Sequence, residues 1–452
     1  MNSSGKKENI LTSWKEIAAY LDRDVRTCVR WEQRYGLPVH RLGRDSKAKV
    51  FAYSDEIDHW LQERSALADA PAEPKTSARR WFRPVPILFA LAGLAGLAAA
   101  TYFLFFSRTG PANFRIEGPV LIVVDKHGHD LWSYDTKRSD LLDDAGYREH
   151  FQVRQRVTYQ PIWPYIAFHD LNGDGRDEVL FSIQTGSEIN EGILKVFDDK
   201  GKELWPFEAG RSMTFGGKPF PAEYRIFGFD VDDFDGDGRP EVLVLSFQKL
   251  DWPCQVVLLD AAGRTKGEYW NAGYIMDANA GDIDLDGQKE LILAGVNNEY
   301  ARGCLAVFKP GRLHGQSPQV SDEFRSSQLD DGAQSAYIVF PRSDVQIAMH
   351  VQGDPVNYFW LHKAGGLAAE TTEAQIIYEL DASLTCRYIT LSHPFKNLHR
   401  DDVASGKVHS VLDESYKQNL IREFRYFRGG RWSPSVPSIR PEEAMNGAGP
   451  RK

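Results

Sequence analysis

Three short acidic segments constrain the possible folds of this chain more than any other feature of its sequence. They read DLNGDGRDEV (170–179), DFDGDGRPEV (233–242) and DIDLDGQKEL (282–291). Each segment runs into a hydrophobic, strand-like stretch, and a second such stretch begins at residue 193, 254 or 304. A loop that recurs in register with two strands is a supersecondary repeat. The sequence therefore predicts a series of similar β-sheets in the C-terminal part of the chain.

The spacing of acids within each segment is typical of a calcium loop. Carboxylate or amide side chains stand at the first, third and fifth positions, glycine at the sixth and glutamate at the ninth. Ca²⁺ takes about six to eight oxygen ligands, and alternating acids on a tight loop can supply them. The predicted side-chain ligands are Asp170, Asn172, Asp174 and Glu178, then Asp233, Asp235, Asp237 and Glu241, then Asp282, Asp284, Asp286 and Glu290, with backbone carbonyls from Arg176, Arg239 and Gln288.

The acidic spacing has two other interpretations, an EF-hand and a metal-free turn. In an EF-hand the closing glutamate is the twelfth residue and helices flank the loop, whereas here it is the ninth and strands flank it. Runs of Asp, Asn and Gly also form metal-free turns, and that alternative stays open, although three copies in register favour a metal. Because each loop supplies all of its own ligands, the calcium is predicted to be structural.

The repeats resemble the FG-GAP/VCBS repeats of integrin-α-like β-propellers, most clearly over residues 115–310. The resemblance implies an all-β propeller at residues 107–435, with about six or seven blades of four strands each. Strand-like stretches continue beyond 310 without acidic loops, and the last, IREFRYFRGGRWS (421–433), is expected to close the ring against the first blade. Trp132, Trp205 and Trp270 are predicted to pack between blades. Cys254 and Cys304 are expected to be free thiols, because equivalent positions in neighbouring blades are too far apart for a disulfide.

A different kind of domain is indicated at the N-terminus. SWKEIAAYL (13–21) has the apolar spacing of a helix, with Ser13 and Glu16 placed to form a capping box. VRTCVRWEQRY (25–35) predicts a second helix that ends at Gly36. LPVHRLGRDSKAKVFAYS (37–54) indicates two short strands around a basic tip, and DEIDHWLQER (55–64) a third helix.

This order of elements resembles the MerR/excisionase-like winged helix-turn-helix, over about residues 11–64. The resemblance implies a small α+β domain at residues 1–66 that binds double-stranded DNA, with its second helix in the major groove and its wing on the backbone. Carried over by position, the residues that face DNA are Arg26, Thr27, Arg30 and Arg34, and those that contact phosphates are Arg41, Arg44, Lys47 and Lys49. A small adaptor domain whose arginines form a solvated face is the alternative.

Between the two parts lies a stretch typical of a transmembrane helix. PVPILFALAGLAGLAAATYFLFF (84–106) contains no charged residue, and about 20 apolar residues suffice to cross a bilayer. The segment before it, ARRWFR (78–83), is more basic than the segment after it, which predicts a cytoplasmic N-terminus in the inner (cell) membrane. Its length argues against a buried core helix, and its position well inside the chain argues against a cleaved signal peptide.

The connecting segments add two expectations. Residues 67–83 are Ala/Pro-rich with a basic end and are predicted to be a flexible linker, so the coiled coil through which MerR-type regulators often dimerise is not expected here. Ala92, Gly96 and Ala100 have the small-residue spacing that lets membrane helices pair. A homodimer is therefore possible, although such residues are common in membrane spans. Residues 436–452 are expected to be a disordered tail.

The combined layout is similar to that of ToxR-like membrane-bound regulators. Residues 1–83 hold 16 Lys and Arg against 12 Asp and Glu, whereas the whole chain has a net charge of −9, which suggests different partners for the two parts. The predicted function is a single-pass, one-component transcriptional regulator whose extracytoplasmic propeller senses or docks a protein or ligand. The alternative is a membrane-anchored adhesion or scaffold protein whose N-terminal domain binds protein. The sequence has no Ser/His/Asp set, phosphate loop or further carboxylate pair that would indicate an enzyme.

Overall fold

The computed structural model describes residues 10–42, 49–68, 110–152, 155–157, 160–186, 192–249, 252–350, 353–371 and 375–434. The chain divides into two compact units, Met1–Thr101 and Tyr102–Lys452. The predicted membrane span (84–106), most of the predicted linker and the predicted tail (436–452) lie outside the described residues. Across the ranges given above, the structure contains no helix that is both long and apolar enough to cross a membrane.

The N-terminal unit consists of three helices and a small antiparallel sheet. Its elements in chain order are β1 (Ile10–Leu11), α1 (Trp14–Tyr20), α2 (Val25–Tyr35), β2 (His40–Leu42), β3 (Lys49–Tyr53) and α3 (Ser54–Ala68). The strand order in the sheet is β1-β3-β2. The helices and the hairpin follow the order expected from the sequence, and α3 continues two residues beyond the expected domain end at residue 66.

Capping residues set the ends of α1 and α2. The Ser13 hydroxyl accepts a hydrogen bond from the Glu16 amide (3.3 Å), while the Glu16 carboxylate accepts one from the amide of Thr12 (2.7 Å), one residue before the position expected in a capping box. Asp24 caps α2, and Gly36 ends it in the left-handed conformation (φ 67°), which favours glycine. The turn between the helices therefore follows directly from local sequence.

The second unit is mainly a series of antiparallel sheets connected in chain order. The first sheet contains β4 (Asn113–Glu117), β5 (Val120–Val124) and β6 (Asp130–Asp135). After helix α4 (Asp144–Glu149) and the hairpin of β7 (Gln155–Val157) and β8 (Gln160–Ile162) comes the second sheet, with β9 (Ile166–His169), β10 (Glu178–Ser182), β11 (Ile193–Phe197) and β12 (Glu203–Glu208). A further hairpin, β13 (Met213–Phe215) and β14 (Lys218–Phe220), leads to the third sheet.

The remaining sheets are larger or carry helical insertions. The third contains β15 (Tyr224–Asp232), β16 (Glu241–Gln248), β17 (Pro253–Leu259), β18 (Thr265–Ala272) and the parallel strand β22 (His314–Gln316). The fourth contains β19 (Ile275–Gly281), β20 (Glu290–Asn297), β21 (Arg302–Phe308), β23 (Ala336–Val339), β28 (Arg425–Arg428) and β29 (Arg431–Ser433). The fifth contains β24 (Val356–Leu361), β25 (Leu367–Thr371), β26 (Ile376–Leu380) and β27 (Cys386–Leu391). The helical segments are a 3-10 turn (Asp322–Phe324), α5 (Asp344–Ala348), α6 (His393–Ala404) and α7 (Glu414–Arg422).

The described residues form fewer blade-like sheets than expected. Against six or seven predicted blades, the described part of the second unit contains five sheets of three or more strands. The late strands occur where the sequence indicated strands, but β23, β28 and β29 extend the fourth sheet instead of building new ones. The expectation that the last stretch closes the ring against the first sheet is therefore wrong, because β28 pairs with β23 through the registers Ala336–Arg428 and Val339–Arg425.

The second strand of the second, third and fourth sheets supplies side chains to two hydrophobic cores. Val242 and Val244 of β16 face a core shared with the second sheet, while Leu243 and Leu245 face a core shared with the fourth. The same alternation occurs in β20. Leu291 faces the core shared with the third sheet, and the residues after it alternate between that core and the core shared with the fifth sheet. Since side chains alternate between the faces of a strand, consecutive sheets stack face to face, as in a β-propeller. These strands are nearly continuous hydrophobic runs for that reason.

A repeated turn joins two neighbouring strands in each of four sheets, namely β5 to β6, β11 to β12, β17 to β18 and β26 to β27. Asp125, Asp198, Asp260 and Asp381 each accept hydrogen bonds at Oδ1 from the backbone amides two and four residues later, at 2.8–3.0 Å. The glycines of two such turns leave room for a tryptophan of the preceding sheet. A side chain at Gly201 would meet Trp132, and one at Gly263 would meet Trp205. These two tryptophans thus pack between sheets, as predicted.

Buried polar groups also shape the fourth sheet and its extension. Glu299 is 1% exposed and accepts hydrogen bonds from the amides of Val320 and Ser321, which fastens the segment after β22. Burial raises the pKa of the Glu299 carboxyl to about 7, because water no longer stabilises its charge. Cys254 and Cys304 are buried free thiols.

Replacing Leu243 by alanine is expected to destabilise the second unit strongly. Leu243 is fully buried between two sheets, and such a truncation costs about 3 kcal/mol in free energy of unfolding. The matched control is Leu204→Ala, because Leu204 is 43% exposed. Denaturant unfolding of both variants measures the difference, and equal losses would contradict the stacking described here.

Glu299 is expected to make stability fall as pH rises. Its pKa in the folded chain, about 7, is above the ordinary value, so its contribution is fully present below about pH 4 and is lost as pH rises through about 7. The free energy of unfolding measured from pH 5 to pH 8 should therefore decline less in Glu299→Gln than in the parent. Glu117→Gln, at an exposed position, is the control and should keep the parent slope.

Candidate metal loops and basic helix

The three acidic loops occupy the same place in three consecutive sheets. Each joins the first strand of its sheet to the second: β9 to β10, β15 to β16 and β19 to β20. The ninth residue of each loop is the first residue of the second strand. Glu178, Glu241 and Glu290 are between 1% and 3% exposed. The strand therefore positions a buried carboxylate at the end of each loop, whose second residue is also buried.

In the first loop, backbone amides surround the first carboxylate. Asp170 accepts hydrogen bonds from the amides of Gly173 (2.7 Å), Asp174 (3.1 Å) and Gly175 (2.8 Å). Burial works against the ionised form of Asp170, but these amides outweigh it and lower the pKa of the carboxyl. The Asn172 side-chain amide donates to Glu178 Oε1 (2.8 Å). The loop is thus folded around its own acids.

The second and third loops repeat this backbone pattern. The first carboxylate accepts from the amide of the sixth residue, Gly238 or Gly287, at 3.1 and 3.0 Å. In all three loops the fifth carboxylate accepts from the amide of the seventh residue, and the ninth glutamate accepts from the amide of the second. The seventh residues were expected to offer backbone carbonyls to a metal. The structure shows instead that their backbone amides donate to the fifth carboxylate, in Arg176, Arg239 and Gln288.

A lysine ammonium lies among the carboxylates of the second and third loops. Lys266 Nζ is 2.5 Å from Asp235, 3.2 Å from Asp237 and 2.7 Å from Glu241. In the third loop, Lys309 Nζ is 3.1 Å from Asp284, 2.9 Å from Asp286 and 2.7 Å from Glu290.

Both lysines make the same three contacts, with the third, fifth and ninth residues of the loop. The hydrogen bond from each lysine lowers the pKa of the fifth carboxyl, Asp237 or Asp286. The two loops thus contain a position that favours positive charge.

The donor atoms of these loops fit a calcium ion. In the second loop Asp233, Asp235 and Glu241 bring one oxygen each within 4.8 Å of one another, and Asp282, Asp284 and Glu290 do so in the third. Oxygens bound to Ca²⁺ at about 2.3–2.6 Å lie no more than about 5 Å apart. Asp233 Oδ1 is buried without a hydrogen-bond partner, which is the arrangement expected of an atom reserved for a cation.

The predicted DNA-contacting residues of α2 divide into two groups. Arg26, Arg30 and Arg34 are exposed, and their four-residue spacing places them along one stripe of the helix. Thr27 is instead part of the helix cap, since its hydroxyl donates to Asp24 (2.8 Å). Three of the four predicted side chains on this helix are therefore free to meet a ligand.

The predicted phosphate contacts on the hairpin are less uniform. Arg41 makes two hydrogen bonds with Glu32 of α2, at 2.5 and 3.0 Å, so its charge is balanced within the domain. Lys49 is the first residue of β3, and the structure does not describe its side chain. Arg44 and Lys47 lie outside the described residues.

Sequence reasoning missed Lys266 and Lys309, although one signal was available. The third strand of the second and third sheets ends in the turns DDKG and DAAG, whereas that of the fourth ends in KPG. Lys309 thus replaces the aspartate of the repeated turn. No such signal marks Lys266 in the sequence, because it lies after the repeated turn, near the start of the fourth strand, β18.

Comparison with known proteins identifies one repeat. The chain matches a family described as FG-GAP-like repeat over residues 170–244, which include the first two acidic loops. This match confirms the FG-GAP-type repeat predicted for that stretch, within a C-terminal propeller-like unit. A search of curated proteins gave no match.

Several solved structures are similar to part of the chain. The structure of BBS1N in complex with ARL6DN is 11% identical, over 53% of this chain and 72% of that chain, with a TM-score of 0.28. The Dos1 propeller is 9% identical over 61% and 65%, with a TM-score of 0.25. The Neurospora crassa Pan2 WD40 domain is 11% identical over 60% and 76%, with a TM-score of 0.22. Scores this low support no conclusion about function.

Removing the first carboxylate of the first loop is expected to open that loop. Asp170→Ala deletes the acceptor of three backbone amides, so hydrogen exchange at Gly173, Asp174 and Gly175 should become about tenfold faster or more. Asp177→Ala is the control, because Asp177 is the acid of this loop that lies outside the alternating set. Exchange followed by mass spectrometry distinguishes the two, and equal protection in both variants would contradict the role of Asp170.

Proposed function

We propose that this chain is a membrane-bound transcriptional regulator that reads double-stranded DNA with its N-terminal unit. Its second unit is proposed to act outside the cytoplasm as a calcium-binding propeller that docks or senses a partner. The role proposed for both units is binding, not catalysis.

The observation that carries this proposal is the basic stripe on α2. Arg26, Arg30 and Arg34 are exposed on a helix that is capped at both ends and joined to α1 by a short turn. A helix of this width fits the major groove, and arginine can form two hydrogen bonds with guanine there. The hairpin of β2 and β3 follows directly, at the place of a wing.

The ion pair of Arg41 refines which residues would bind DNA. Its guanidinium is held by Glu32, so it joins the hairpin to α2 and positions both. We therefore assign sequence reading to the α2 arginines, with Arg44, Lys47 and Lys49 as the proposed phosphate contacts of the hairpin.

In the second unit, calcium would be held by the alternating acids of the loops. The side chains concerned are those of Asp170, Asn172, Asp174 and Glu178 in the first loop and the equivalent residues of the other two. Bound calcium would supply positive charge that links the exposed part of a loop to the buried glutamate of the following strand. The role of the calcium would be structural, because the loop and the strand that it connects belong to the same hairpin.

The membrane location rests on the sequence. The uncharged segment 84–106 and the basic segment before it support a single span with the N-terminus in the cytoplasm. Small residues in that span support a homodimer. Two tethered DNA-binding units would raise the local concentration of the second unit at a two-part site.

Replacing the α2 arginines is expected to abolish specific DNA binding. The purified full-length chain should enrich a repeated or palindromic site from a random duplex pool, and Arg30→Ala and Arg34→Ala should each weaken binding to it about tenfold or more. Lys15→Ala, an exposed lysine on α1, is the control and should bind nearly as well as the parent. Titrations at several salt concentrations should give a steep loss of affinity with salt.

One outcome would favour the alternative function. If no duplex is enriched and the binding of DNA does not depend on salt, the α2 arginines form a solvent-exposed surface that does not bind DNA. The chain would then be better explained as a membrane-anchored scaffold or adhesion protein.

A further inference from the structure

We propose that Lys266 and Lys309 are tethered cations that occupy the calcium positions of the second and third loops, so that calcium enters these loops only by displacing an ammonium. This inference rests on the calcium-binding part of the proposed function. It adds that the three loops are not equivalent and names the residues that make them differ.

The two ammonium groups contact the same three positions of their loops. Each ammonium lies within 3.2 Å of carboxylates at the third, fifth and ninth positions of its loop. Two of these three residues, the third and the ninth, belong to the converging set that could hold a metal ion. A divalent cation and an ammonium cannot share carboxylates at these distances, because like charges repel strongly there. The two occupants are therefore mutually exclusive.

The two lysines reach this place from different strands. Lys309 directly follows β21, the third strand of its sheet, whereas Lys266 lies in β18, the fourth strand of its sheet. Chance contact of a surface lysine with nearby acids would not reproduce the same three partners from two different backbone positions. The shared geometry indicates that the loop itself selects a cation at this point.

The first loop differs from the other two at this position. There the donor to the equivalent glutamate oxygen is the neutral amide of Asn172. The first loop therefore has an amide where the others have an ammonium, and a metal entering it has no charged competitor at that oxygen. It serves as an internal reference for the other two.

The surroundings allow a displaced ammonium to leave without unfolding the sheets. Lys266 and Lys309 both line a crevice of about 220 Å³ between the third and fourth sheets, together with Asp235 and Arg312. Lysine has a flexible four-carbon stem, so its head group can swing into this space when calcium takes its place.

The test measures calcium binding to the purified full-length chain by equilibrium dialysis in calcium-depleted buffer. The variants are Lys266→Met and Lys309→Met, singly and together, with Lys266→Gln and Lys309→Gln as milder changes that keep a hydrogen-bond donor. The control is Lys363→Met, an exposed lysine in the turn between β24 and β25, where the fifth sheet has no acidic loop. Thermal unfolding with calcium and with chelator is followed in parallel.

We expect each loop lysine variant to bind calcium at its loop about tenfold more tightly or more, a change that corresponds to one unit in the logarithm of the dissociation constant. In chelator the variants should melt at a lower temperature than the parent, and calcium should restore the loss. The parent and Lys363→Met should respond to calcium alike, through the first loop, and less than the loop lysine variants.

Three results would overturn the exchange, and they differ from one another. If the parent and the loop variants bind calcium equally, the calcium proposal stands but the lysines do not occupy the metal positions. If none of the proteins binds calcium, the calcium proposal itself fails and the exchange fails with it. A variant that melts early in chelator and is not restored by calcium also contradicts the exchange.

Discussion

The acidic loops depend on a buried carboxylate at the first residue of the second strand. Glu178, Glu241 and Glu290 are almost inaccessible to solvent, and one oxygen of each accepts a backbone amide of the loop above it. An ionised group in such a place is costly unless it is paired. The other oxygen must therefore find a donor or a cation, and this requirement organises the rest of the loop.

The stacking of the sheets places these carboxylates. Because the central strands are packed on both faces, their first residues are held at fixed depth, and the buried second residue of each loop joins one of the cores. The neighbouring sheet also contacts the loop directly. The amide of Gly366, in the turn of the fifth sheet, donates to the carbonyl of Ile283 in the third loop (2.8 Å). Loop, strand and adjacent sheet therefore form one cooperative element.

The sequence predicted the local features of this fold well and its long-range pairings poorly. The acidic loops, the strands after them and the cap at Gly36 follow from residue types at short spacing, so they could be located in advance. The pairing of β28 with β23 could not, because the two strands are far apart in the chain and nothing local distinguishes a new blade from an addition to an old one. The ion pair of Arg41 with Glu32 was missed for the same reason, since a basic residue on a predicted wing is also typical of a phosphate contact.

The lysines show that the acidic motif requires a partner for the buried glutamate without determining which group provides it. All three loops have the spacing of a calcium loop, yet the atom opposite the buried glutamate is an amide in one and an ammonium in the others. Lys266 and Lys309 come from different backbone positions, so what the two loops share is a site that attracts positive charge. A charge that is part of the chain costs less entropy to bring in than a free ion. The acidic spacing alone therefore identifies a cation-favouring position, and the residues that reach it from the rest of the sheet decide whether a metal must compete for it.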